Sequence, residues 1–145
     1  MAKLGMLGYG TVGQGVADIL NRRGEELELL LGEPLQLKKI LVRSMDKERK
    51  VPVPEGVLTT DPYQILLDEE IDIVIEVTGD LDDSYIFIKK ALQNGKHVVT
   101  ANKAVVSAYF EELSYMAEEK GLHFLYEASA GGGIPFIKPL KDAIR

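Results

Sequence analysis

The sequence predicts an α/β fold, a doubly wound parallel sheet, from three observations. Short apolar stretches alternate with helical patterns along the 145 residues. The links between those stretches are too long for hairpins, so the strands run parallel and the helices cover both faces. A Gly-x-Gly-x-x-Gly run, Gly8-Tyr9-Gly10-Thr11-Val12-Gly13, falls where the first stretch meets the first helical pattern. That is where a Rossmann-type domain seats the pyrophosphate of a dinucleotide.

Residues 3 to 7 form a short buried strand entered at Lys3. Val12, Val16, Ile19, Leu20, Leu27, Leu30 and Leu31 keep helical phase across Gly24, which predicts one helix over 11–31. Gly32 and Pro34 stop it. Residues 35–43 give a second strand, and the polar stretch 44–56, with Pro52, Pro54 and Gly56, a loop. Residues 57–60 suit a short third strand. Asp61 and Pro62 supply a cap and a first-turn proline for a helix over 62–69. The β-branched run from Ile71 to Val77 suits a central parallel strand, ended by Thr78-Gly79. Asp82 or Asp83 caps a helix reaching Asn94, closed by Gly95. A fifth strand follows over 97–100, a helix over 108–120, and a sixth strand over 122–126. The division expected is a dinucleotide-binding domain over 1–130 and, over 131–145, the start of a connecting helix.

Composition narrows the function. Hydrophobic residues make up 46% of the chain, enough for a core, and there is no cysteine for disulfides or thiolate metal sites. The two histidines, His97 and His123, lack ligand spacing. A net charge of −6 without a basic face argues against nucleic acid. No apolar stretch spans a bilayer, and the N-terminus runs straight into a strand. The expectation is a soluble cytoplasmic protein acting on a small molecule.

Each motif has a physical reading. Gly8 permits a tight turn, Gly10 lets the backbone approach the pyrophosphate, and Gly13 lets helix and strand pack closely. With Thr11 and Val12 they open a helix whose free N–H groups and positive dipole end suit an anion. A glycine turn without a ligand is the competing explanation. Arg43, at the end of the second strand, can grip a 2′-phosphate bidentately, which favours NADP. It can equally be a solvated surface residue, and Asp46 keeps NAD open. Thr78 and Gly79 lie at the carboxyl end of the fourth strand, where ligands bind in open α/β sheets. Glu76, inside that strand, is either a buried partner to a cation or a polar strand end. Lys103 follows the fifth strand on the same edge, where it can orient a hydroxyl or carboxylate beside the nicotinamide, or move a proton. A solvated, carbonyl-capping lysine is the alternative. Gly131-Gly132-Gly133 can face a ligand with backbone groups or act as a hinge.

Together these segments resemble homoserine dehydrogenase. The resemblance rests on Gly8 to Gly15, on Glu76-Val77-Thr78-Gly79, on Gly95 to Ala104 with its Thr-Ala-Asn-Lys, and on Tyr126 to Pro135. It implies NAD(P)-dependent interconversion of L-homoserine and L-aspartate 4-semialdehyde, a step towards threonine, methionine and isoleucine. It implies that Lys103 is the active-site lysine next to the nicotinamide, and that Thr78 and Gly79 contact the cofactor. It also implies a monovalent cation site, Na⁺, at Glu127 and the carbonyls of Ala130, Gly132 and Ile134. Family members continue into a mixed sheet that binds the amino acid and forms a homodimer. A chain ending at Arg145 is therefore expected to hold the cofactor but turn over little homoserine. Two alternatives stand beside this. Sugar and inositol dehydrogenases share the Ala-Leu-x-x-Gly-Lys-His-Val stretch of residues 91–98 but continue into Glu-Lys-Pro. A non-catalytic NAD(H) sensor would need a partner domain.

Overall fold

A computed structural model describes residues 1–47 and 49–127. The chain runs β1 (Ala2–Leu7), α1 (Thr11–Arg22), α2 (Gly24–Leu31), β2 (Leu35–Leu41), β3 (Leu58–Thr59) and α3 (Tyr63–Leu66). It continues through β4 (Ile73–Glu76), α4 (Leu81–Gln93), β5 (His97–Thr100), α5 (Lys103–Glu119) and β6 (Phe124–Tyr126). Among the described residues the six strands form one sheet in the order β3-β2-β1-β4-β5-β6, and each of its pairings is parallel. The order reverses between β1 and β4, and that switch point is where open α/β sheets bind ligands.

Alternation along the strands sorts the core onto two faces, because successive side chains point to opposite sides. Leu4 and Met6 of β1, Ile73 and Ile75 of β4, and Val99 of β5 pack with Val16 and Ala17 of α1. Leu7, Val74 and Val98 point the other way and pack with Ile65 and Leu66 of α3, Ile88 and Leu92 of α4, and Leu113 of α5. The predicted doubly wound sheet is thus the observed one.

Several boundaries differ from those predicted. The single helix over 11–31 is two helices. Arg23 leaves helical geometry, with φ −117° and ψ 23°, and serves as the C-cap of α1 and the N-cap of α2. Its guanidinium pairs with Glu26 in the first turn of α2, which favours a fresh start there. Apolar spacing alone missed this because both helices bury residues against the same domain. Helix α5 begins at Lys103, not residue 108, because Asn102 caps it by accepting from the Ala104 and Val105 amides. It bends at Tyr109, whose φ is −131° and ψ 18°. The cap of α4 is Asp80 rather than Asp82 or Asp83, and it accepts from Asp83 N. Strands β2, β4 and β6 are shorter than their apolar runs. The glycine triplet and the stretch 131–145 lie outside the described residues.

Candidate functional site

The carboxyl ends of β1, β2 and β4 converge at the switch point. Gly8 N donates to Leu41 O, and Val77 N to Leu7 O, so the turns after the three strands start in register. Gly8 has φ +109°, and a Cβ there would lie 2.9 Å from Val77 O. Glycine is therefore required by both backbone conformation and space. A Cβ on Gly13 would lie 2.7 Å from Gly8 O, so Gly13 lets α1 sit down on the turn. Gly10 differs. Its φ is −80°, and among the described residues a Cβ would meet nothing within 4 Å. Neither backbone strain nor crowding by the described residues demands glycine at this position. Open space in front of Gly10, at the N-terminus of α1, fits an approaching pyrophosphate.

Helix α1 completes the cradle. No side chain among the described residues caps it, and its first turn holds no acidic residue. Its first N–H groups have no intrahelical partner by geometry and, with the dipole, suit an anion. Thr11 and Val12 are exposed there.

A cleft of about 420 Å³ opens from the cradle, lined by Gly8, Tyr9, Gly10, Arg43, Ser44, Lys47, Arg49, Thr78, Asp83 and Phe87 among others. Four predicted residues, Gly8, Gly10, Arg43 and Thr78, thus line one cleft. Arg43 is exposed at its rim. Asp46 is not among the lining residues. The sequence reading missed Ser44, Lys47 and Arg49. Their signal was the basic run after the second strand, masked by interspersed acidic residues.

The loop carrying those residues is fastened to the glycine turn. Tyr9 OH donates to Val51 O at 2.6 Å. Gln14 Oε1 accepts from the Lys50 and Val51 amides at 2.9 and 3.1 Å, and Gln14 Nε2 donates to Tyr9 O. Burial pushes the Tyr9 phenol above its usual value, and the nearby Arg49 charge opposes that. The Arg49 guanidinium donates to Lys47 O and Ser44 O, closing the loop on itself. Arg43 and Lys47 are left to face the cleft.

Beyond β4 lies the second half of the edge. Glu76 is completely buried as the last residue of β4, a polar strand end, and its hydrogen-bond donors among the described residues are neutral. Its Oε2 accepts from Thr78 N at 2.9 Å and Thr78 Oγ1 at 2.6 Å. Its Oε1 accepts from Ser84 Oγ at 2.5 Å and Thr100 Oγ1 at 2.7 Å. The Thr78 hydroxyl is thereby turned inward, although Thr78 lines the cleft. Gly79 is exposed in the left-handed conformation, at φ +79°. Lys103 is exposed at the first position of α5, on the same sheet edge but outside the cleft lining. Glu127 is half-buried and its amide donates to Thr100 O. Ala130, Gly132 and Ile134 lie outside the described residues.

An all-parallel sheet in this strand order, with a glycine cradle at its switch point, defines a dinucleotide-binding domain of the Rossmann class. Comparison with known proteins narrows the class. Residues 8–127 match the family model described as homoserine dehydrogenase, NAD binding domain. The chain belongs to that family.

Two relatives are homoserine dehydrogenases. The one from Synechocystis is 44% identical over 142 residues, which cover 98% of this chain and 32% of the relative. That from Bacillus subtilis is 40% identical, covering 98% of this chain and 33% of the relative. The crystal structure of a homoserine dehydrogenase from Thiobacillus denitrificans superposes with a TM-score of 0.84 at 41% identity, over 96% of this chain and 32% of that one. The chain therefore spans about a third of the length of the relatives it matches. The sugar dehydrogenase and sensor alternatives are not favoured by these matches. No helix among the described residues is long and apolar enough to cross a membrane.

Proposed function

We propose that this chain is the cofactor-holding domain of an enzyme that interconverts L-homoserine and L-aspartate 4-semialdehyde, using NADP in preference to NAD. Gly8, Gly10 and Gly13 with the first turn of α1 hold the pyrophosphate. Thr78 and Gly79 flank the nicotinamide side, and Lys103 orients the reacting oxygen of the substrate there. The bound cofactor supplies hydride transfer, and the protein's contribution is position and electrostatics. The division at about residue 130, a homodimer formed by a further domain, a cytoplasmic setting in threonine, methionine and isoleucine synthesis, and a Na⁺ site involving Glu127 follow from the family resemblance.

One observation carries the NADP preference: Arg43 and Lys47 line the cleft beyond the cradle, with Ser44 between them, and Asp46 does not. Two cations there favour a 2′-phosphate over a bare ribose. The test is titration of NADP and NAD against wild type and Arg43→Ala, with homoserine-dependent reduction followed by absorbance. Arg43→Ala should bind NADP about tenfold to a hundredfold more weakly, the worth of one or two charged hydrogen bonds. NAD affinity should hardly move. Equal losses for the two cofactors would overturn the 2′-phosphate assignment.

A further inference from the structure

Glu76 does not itself line the cleft, yet among the described residues every group it binds belongs to the ends and turns that shape the nicotinamide side or to the helix between them. We propose that Glu76 is a positioning residue. Through Thr100 and Asn102 it fixes the start of α5, and so Lys103; through Thr78 it fixes the turn after β4. The inference rests on the reading of Lys103 given above.

The hydrogen bonds run in one direction. Thr100 Oγ1 accepts from Asn102 N at 3.0 Å, so its single proton is free to go to Glu76 Oε1. Asn102 Oδ1 then accepts from Ala104 N at 3.0 Å and Val105 N at 3.2 Å, which starts the helix at Lys103. Asn102 Nδ2 reaches back to Asp80 O at 3.4 Å, joining the two turns at the rim. On the other side the Thr78 amide and hydroxyl both donate to Oε2. A side chain that only accepts satisfies all of these donors. Glutamine has the same shape but must point an NH₂ at a donor on one side. The carboxylate is also buried at the end of β4, beside β5 in register, Glu76 against Thr100. It can therefore hold the two turns at one spacing while contacting neither cofactor nor substrate.

Ser84 makes the inference separable from simple structural support. Its hydroxyl donates to the same Oε1, but its side chain leads on to neither turn. In the full protein, Thr100→Val and Glu76→Gln should lower kcat for homoserine oxidation by about tenfold to a hundredfold, the scale of a misplaced reacting group. Cofactor Kd should stay within a factor of about three, because positioning is lost and not binding. Thr100→Ser should restore turnover. Ser84→Ala should lower the Tm comparably while kcat stays within about threefold. Hydrogen exchange at the Ala104 and Val105 amides should quicken in Thr100→Val and Glu76→Gln but not in Ser84→Ala. Equal loss of kcat in Ser84→Ala and Thr100→Val would overturn the proposal, as would unchanged exchange at Ala104 and Val105. Should Thr100→Val fail to fold, Asn102→Ala breaks the same relay at its rim, and an unchanged kcat there is equally fatal. A wild-type protein that oxidises no homoserine would refute the functional reading alone, and the exchange data would still decide the positioning.

Discussion

Glu76 and Lys96 are both buried ionisable side chains, at opposite edges of the same sheet. Glu76 is 0% exposed and Lys96 2%. Each is held by hydrogen bonds to neutral groups, which matters because a buried charge left unsatisfied costs several kcal/mol. Their partners differ. Lys96 Nζ donates to the main-chain carbonyls of Asp68 and Ile71, in the link between α3 and β4. Those carbonyls are fixed by the backbone and lead to no functional group. Glu76 is held by three hydroxyls and one amide, from the turn after β4, from α4 and from the end of β5. One edge uses its buried charge to pin a link between elements, and the other to set the spacing of two turns. Substitutions at the first edge should therefore be read in stability, and at the second in binding and turnover.

The largest expected effect tests the Lys96 half of that contrast. Lys96→Ala should cost about 3 kcal/mol, from two carbonyls left without donors and from lost packing of the aliphatic stem. Urea unfolding would measure this, and cofactor affinity should remain within about twofold. A large loss of affinity at unchanged stability would remove the distinction between the edges.

At the site edge, Gly10→Ala should act in the opposite way. The protein has room for the methyl group, so stability should change by less than about 1 kcal/mol. The methyl occupies the space the pyrophosphate needs, so dinucleotide affinity should fall about tenfold or more. Calorimetric titration with unfolding curves on the same samples separates the two quantities. Retained affinity would mean that the cradle does not seat the pyrophosphate.

The smallest expected effect concerns pH at the Lys96 edge. His97 is held below the usual imidazole value by burial first, then by neighbouring His123, against the pull of Asp72. Its Nδ1 accepts from the His123 amide at 3.1 Å, which only an unprotonated Nδ1 can do. Below about pH 6.5 the unfolded chain therefore takes up the proton before the folded one does. Stability should be insensitive to this group above that pH and should decline as pH falls towards the folded value. The slope is at most about 1.4 kcal/mol per pH unit. His97→Phe should flatten that part of the urea-midpoint profile, with cofactor affinity unmoved. An identical profile in the variant would remove His97 from the account.

Much of the site edge was legible in the residues because its constraints are local. Gly8 is set by the positive φ of its own turn, besides the approach of Val77 from β4's end, and Gly13 by the approach of Gly8 a few residues away, while Gly10 stands before open space. Arg43 was legible as the residue ending a strand. Lys47 and Arg49 were not, because their place in the cleft depends on Tyr9 and Gln14 fastening a loop some 40 positions downstream. The break at Arg23 was hidden for a related reason. Apolar spacing reports which side of a helix is buried and is silent on a change of axis when both halves bury residues against one domain.

The sequence by itself determined the alternating strand and helix order, the parallel sheet that this order forces, the glycine cradle, and the family. These follow from periodicity, turn chemistry and short motifs, all of which act over a few residues. Only the tertiary structure decided the role of Glu76. A glutamate within an apolar strand carries no sign of what will surround it. Its four donors come from Thr78, Ser84 and Thr100, on three different elements. Satisfying a buried charge is a non-local condition, met only when those elements are packed together.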